Sequence, residues 1–391
     1  MNPEYADAYN NLGNAYYKKG NYDKAIEMYE KAIEIKPEYA EAYNNLGTAY
    51  SNKGNYDKAI NMYEKEIEIK PEYAETYNYL GTAYTNKGNY DKAIKMYEKA
   101  IEIEPEYADA YYNMGLAYFD KGNYDKAINM YENAIEIKPE YAEAYNNLGN
   151  TYSIQGNYEK AIKIYEKAIE INPEFAKAYY GLGYTYKKNG NTDKAIKMYE
   201  KAIEINPEFA MALFNLGNAY DDKGNTDKAI KMYEKAIEIN PEDAMAYYNL
   251  GNAYYDKGNT DNAIKMYEKA VEINPEYAEA LFNLGYAYYD KGNTDKAIKM
   301  YEKAIEINPE DAEAYNNLGT AYKKNGNTDK AIKMYEKAIE LNPKDSDTYY
   351  NLGNAYDDKG EKTKQIEYYI KAAKLGHEGI QKWLKDNGYS W

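Results

Sequence analysis

The chain has 391 residues and a formal net charge of −16, with 54 Tyr against 5 Phe, a single His, and neither Cys nor Arg. Without Cys there is no disulfide framework and no thiolate chemistry. Lys is spread among the acids rather than clustered, so the cationic face that nucleic acid or an anionic membrane requires is missing, and neither is expected as a partner.

In chain order, residues 1–5 read as the tail of an incomplete preceding repeat. From residue 6 the sequence obeys one period: the 11 Pro stand at 3, 37, 71, 105, 139, 173, 207, 241, 275, 309 and 343, always 34 apart. Units therefore begin at 6, 40, 74, 108, 142, 176, 210, 244, 278, 312 and 346, the last one divergent, and the array ends near residue 379. A fixed period of this length means stacked units rather than one globular core. The spacing predicts two helices per unit. The first, such as 142–154, carries Tyr145, Leu148, Gly149 and Tyr152 at helical spacing, and the second, such as 159–171, carries Ala161, Tyr165, Ala168 and Ile169. Gly156-Asn157 between them suits a left-handed helix end followed by an N-cap. Pro closes the second helix and is tolerated in the first turn of the next.

Gly stands ten residues after every Pro, from Gly13 to Gly353, and Tyr stands 13 and 26 residues after it in all eleven units. Small residues let helices approach while these Tyr fill the core, so most of the Tyr excess is expected to be structural. Two packing Ala are replaced, by Glu66 and by Gln365. Glu66 is expected to loosen or re-aim its helix. Units one to five open the second helix with Tyr and units six to ten with Thr, a seam that suggests block duplication. After the last unit, residues 377–391 read as a capping helix and tail, with a helix near 378–385 that buries Ile380, Trp383 and Leu384, and with His377 as a cap or surface residue.

The pattern Y-x2-L-G-x2-Y…A-x3-Y…P resembles the tetratricopeptide repeat, with Tyr in place of its usual Trp and Phe. In residues 6–39 the matching positions are Tyr9, Leu12, Gly13, Tyr16, Ala25, Tyr29, Ala32 and Pro37. The resemblance covers essentially the whole chain. It implies an all-α solenoid of 34-residue helix-turn-helix repeats, wound as a right-handed superhelix whose concave groove is lined by the first helices. It also implies protein or peptide binding. The end of the chain resembles, more weakly, the end of a Sel1-like repeat.

Nothing in the chain points to catalysis. The lone His377 has no nucleophile in motif spacing, the carboxylates recur at one phase per unit as solvated faces do, and no metal-ligand spacing occurs. Lys359-Gly-Glu-Lys-Thr363 lacks the glycine spacing of a phosphate loop. No enzyme activity, cofactor or metal is expected. The chain has no apolar run long enough to span a bilayer, and its start, MNPEYADAYN, lacks the layout of a secretion signal. A cytoplasmic protein, or a chain trimmed at its start, is expected.

Specificity must lie where the units differ. Eight residues after the Pro, nine of eleven units have Asn: Asn11, Asn45, Asn113, Asn147, Asn215, Asn249, Asn283, Asn317 and Asn351. Asn218 and Asn252 flank this column, with Asn14, Asn150 and Asn354. A carboxamide can pair with both N–H and C=O of an extended peptide, and such a column resembles the asparagine ladder of the superhelical repeats of O-linked N-acetylglucosamine transferases. Asn10, Asn44, Asn78, Asn146 and Asn316 read as compositional bias. The carboxylate clamp of chaperone-binding members, which needs cations on neighbouring first helices, is not present.

In units six to nine the same face turns apolar, with Tyr180, Tyr184, Met211, Phe214, Met245, Tyr248, Phe282 and Tyr286, bordered by Asp221, Asp222, Asp256 and Asp290. An apolar floor with an acidic rim suits an extended ligand with hydrophobic anchors and basic flanks. The expected function is thus a non-enzymatic protein-binding scaffold. The rival expectations are a solenoid that self-assembles through an uncovered amino-terminal edge, and the targeting arm of a larger protein.

Overall fold

The computed structural model describes residues 4–391. Of the expected tail, Met1–Pro3 lie outside the described residues, whereas Glu4 and Tyr5 already belong to the first helix. All regular structure among the described residues is helical, in 23 segments. They fall into two compact bodies, Met1–Asn206 with α1 to α12 and Pro207–Trp391 with α13 to α23. The boundary lies one unit beyond the Tyr-to-Thr seam, so α11 (Ala176–Lys188) and α12 (Thr192–Ile205) belong with the earlier units.

Each unit is the expected pair. In the second, α3 (Ala40–Asn52) is followed by α4 (Tyr56–Ile69). The turn between paired helices is set by its residues. Between α1 (Glu4–Lys18) and α2 (Tyr22–Ile35), Gly20 adopts φ +75°, and Asn21 caps α2 by accepting from the Lys24 amide at 3.2 Å. Such a cap is worth about 1 kcal/mol.

The core is built from a repeated exchange of volume. A Cβ added to Gly13 would sit 2.4 Å from the Tyr29 ring, and at Gly217 it would sit 2.6 Å from Tyr233. The first helix must give up its side chain there for the second-helix Tyr to reach the interior. The other Tyr column joins neighbouring units. Tyr50, Tyr152 and Tyr254 donate to Glu30, Glu132 and Glu234 on the preceding second helix at 2.9, 3.0 and 2.7 Å. A lysine lies over the ring, as Lys58 does 5.0 Å from the Tyr50 centroid. Exposed pairs such as Lys121–Asp91 (2.5 Å) repeat the linkage at the surface, where solvent screens them and they add little.

Glu66 does not loosen its helix: α4 has the same length as α2. Its carboxylate is buried and accepts from Asn44 Nδ2 at 2.7 Å, and Thr76 replaces an Ala on the next helix. Burial pushes its carboxyl above the ordinary glutamate range, with the Asn44 hydrogen bond opposing. At the far end, α23 (Glu378–Asp386) forms as expected. The His377 ring caps it by accepting from the Ile380 amide at 3.2 Å, Ile380 and Leu384 are buried, and Trp383 stands edge-on to Tyr369.

Candidate functional site

The asparagine column lies on the first helices, and its amides are directed from unit to unit. Within Met1–Asn206, Asn45 donates to Asn10 Oδ1 at 3.0 Å, Asn113 to Asn78 at 2.9 Å, and Asn147 to the Tyr112 hydroxyl at 2.9 Å. Within Pro207–Trp391, Asn249 donates to Asn218 at 3.0 Å and Asn351 to Asn316 at 3.0 Å. Asn283 uses both amide protons, on Asn252 at 2.9 Å and on the Tyr248 hydroxyl at 3.2 Å. Asn215 donates to the Met211 carbonyl at 3.0 Å. Asn11 and Asn317 make no side-chain hydrogen bond among the described residues. Asn10, Asn78 and Asn316, read as bias from sequence, are therefore acceptors in the row beside Tyr112, Asn218 and Asn252, and Asn10 and Asn78 are buried. The only sequence signal for them was their spacing of 35 residues from a column member.

The flanking Asn serve the core as well. Asn14, Asn218 and Asn252 accept from the buried Tyr29, Tyr233 and Tyr267 hydroxyls at 2.8, 2.7 and 2.7 Å. Where that position holds Leu116 or Tyr184, the equivalent Tyr131 and Tyr199 hydroxyls have no partner among the described residues. The column thus staples first helices together. Where only one amide proton is used, a second proton and a carbonyl lone pair remain.

The apolar residues separate into two kinds. Met211, Met245, Tyr286 and Tyr184 are exposed; the two Met reach 59% and 54%, in a column that is otherwise charged. Phe214, Tyr248 and Phe282 are half-buried, with ring centroids 5.9, 6.1 and 5.7 Å from Tyr233, Tyr267 and Tyr301. They combine core support with a surface edge.

Six of the expected residues, Asp221 among them, meet in one cavity of about 510 Å³ inside the Pro207–Trp391 body. Asn252 and Asp256 on α15 (Ala244–Asp256) face Phe282, Asn283 and Tyr286 on α17 (Ala278–Asp290). Asp221 on α13 (Ala210–Asp222) and Glu313 on α19 (Ala312–Lys324) complete the rim, and Tyr255 and Tyr267 the floor. Sequence reading missed Tyr255 and Glu313. The Tyr255 ring lies 5.7 Å from Tyr286, edge to face. Burial and the Asp290 carboxylate push the Tyr255 hydroxyl up to about 12, and Asp221 and Asp222 act in the same direction on Tyr233 after burial. The acids thus set a negative field on this face. No group of three or more potential metal-ligating side chains occurs among the described residues, and no described helix is long and apolar enough to cross a membrane.

Paired helices, cores shared between neighbours and a first-helix face bearing the variable residues define an all-α repeat scaffold. Sequence profiles agree. Those described as tetratricopeptide repeat match residues 4–72, 106–174, 140–208, 312–345, 62–95, 198–231 and 334–367, and one described as TPR repeat matches 81–122, 217–258, 251–292 and 285–326. Together they run without a gap from 4 to 367, and the chain belongs to the tetratricopeptide repeat family.

Among solved structures, the chain is similar to MamA, at 35% identity over 44% of this chain and 94% of that one, with a TM-score of 0.42. It is similar to YrrB, described as a TPR protein with an unusual peptide-binding site, at 30% identity over 47% and 95%, with a TM-score of 0.39. It is also similar to a chain of the APC/C hetero-tetramer Cut9–Hcn1, at 16% identity over 99% and 96%, with a TM-score of 0.45. No curated protein matches it.

Proposed function

We propose that the chain is a non-enzymatic scaffold that binds an extended protein segment along its first helices. Partner and peptide binding is the common role of the family, and the groups this chain presents suit it. The observation that carries the reading is the cavity on α15 and α17, where aromatic side chains and the Asn283 carbonyl lie beside carboxylates. Hydrophobic anchors of a ligand would seat on Met211, Met245, Phe282 and Tyr286. Basic flanks would meet Asp222, Asp256 and Asp290. The spare amide functions of Asn45, Asn113, Asn147, Asn249 and Asn351 would hold backbone. Asn283, with both protons committed, offers only its carbonyl.

A displayed random-peptide library tests this. Enriched sequences should combine apolar residues with Lys or Arg, and should be lost on a Met245→Asp/Tyr286→Ser variant of unchanged helicity. Absence of enriched sequences, or binders indifferent to that variant, refutes the reading.

A further inference from the structure

The cavity on α15 and α17 has a counterpart on α1 and α3, seven repeats earlier. That cleft, of about 240 Å³, is lined by Asn14, Tyr17, Lys18, Tyr29, Asn45 and Thr48. Each stands 238 residues before Asn252, Tyr255, Asp256, Tyr267, Asn283 and Tyr286, all of which line the larger cavity. The same repeat geometry is therefore present twice with different chemistry. A lysine becomes Asp256, a threonine becomes Tyr286, and Asp221, Phe282 and Glu313 are added.

The groups of the larger cavity suit one kind of ligand. Among the described residues, neither Asp256 nor Glu313 pairs with a lysine, whereas Asp358, in the column of Asp256 three repeats later, is paired with Lys323 at 3.3 Å. The amide protons of Asn283 are spent on Asn252 and Tyr248, so that side chain presents an acceptor. Tyr255 and Tyr286 offer ring faces set edge to face. Carboxylates, a carbonyl oxygen and π-faces in one recess call for a flat cation with several N–H donors. A guanidinium meets this description; an ammonium has three donors, stronger hydration and no plane to stack.

Resting on the binding role proposed above, we propose that this cavity is a seat for an arginine side chain of the partner segment, held by Asp256 and Glu313 and stacked against Tyr255 and Tyr286. The cleft at Lys18 repels the same group.

The test uses the full chain and three fluorescein-labelled peptides, Gly-Leu-Leu-Xaa-Leu-Leu-Gly with Xaa as Arg, Lys or citrulline, which keeps the arginine shape without charge. Fluorescence anisotropy should place the Arg peptide at least about tenfold tighter than citrulline and several-fold tighter than Lys. Asp256→Lys copies the residue that position already carries in the first cleft, and should erase the Arg advantage with unchanged circular dichroism. Glu313→Gln should reduce it. Met211→Ser should weaken all three peptides alike and leave the ratio intact. Equal binding of the three peptides, or an Arg advantage that survives Asp256→Lys, overturns the arginine seat while the scaffold reading stands. Failure of every peptide to bind overturns both.

Discussion

The second-helix tyrosines allow a test in which one substitution should change sign with position. Tyr233 and Tyr131 occupy the same place in their units and are both buried. Tyr233 donates to Asn218 at 2.7 Å, whereas Tyr131, in whose unit Leu116 stands in place of that Asn, has no hydroxyl partner among the described residues. Tyr233→Phe removes a made hydrogen bond and should cost about 1 kcal/mol. Tyr131→Phe removes a buried hydroxyl whose desolvation is uncompensated, and should stabilise by about 1 kcal/mol. The difference of about 2 kcal/mol corresponds to roughly thirtyfold in a local opening equilibrium. Stability in a repeat array is a sum of local and nearest-neighbour terms, so native-state hydrogen exchange is the suitable assay. Amides of α7 (Ala108–Asp120) and α8 (Tyr124–Ile137) should exchange more slowly in Tyr131→Phe. Those of α13 and α14 (Thr226–Ile239) should exchange faster in Tyr233→Phe. Equal loss of protection in both variants would refute the assignment of partners.

Three further outcomes are expected. Gly217→Leu should cost at least about 3 kcal/mol in its unit, because even a Cβ would lie 2.6 Å from the Tyr233 ring; an unchanged melting curve contradicts the close approach. Glu66 has a folded-state value above its unfolded one, so its stabilising contribution is present at low pH and is lost as pH rises through the raised value. Glu66→Gln should therefore gain stability on wild type as pH rises from below the ordinary glutamate value towards neutrality, by denaturant midpoints across that range; a constant difference refutes it. Phe214→Ala with Phe282→Ala should abolish peptide binding and also lower thermal stability, by about half the 3–5 kcal/mol of a fully buried Phe each, since both rings are half-buried. Loss of binding with no change in melting would place them wholly on the surface.

The sequence alone determined the period, the helix pairs and their ends. Pro, Gly and Asn act through the backbone within a few residues, so Gly20-Asn21 could be read as a turn and a cap without knowing what packs where. It also determined the Gly–Tyr exchange of volume, because that recurs at one spacing in every unit. Tertiary structure decided the rest. The asparagines looked like a row of groups facing a ligand, yet their amides first join one unit to the next, and Asn10, Asn78 and Asn316 turned from background into partners. Glu66 looked like a defect, yet Asn44 receives it. Asp221 and Glu313 reach one cavity from the units on either side of it, with Tyr255 at its floor. These outcomes depend on distances between side chains 22 to 92 residues apart in the chain. A residue's own neighbours cannot encode such a distance; it is set when the repeats stack and a polar group must choose between a neighbour, water and a ligand.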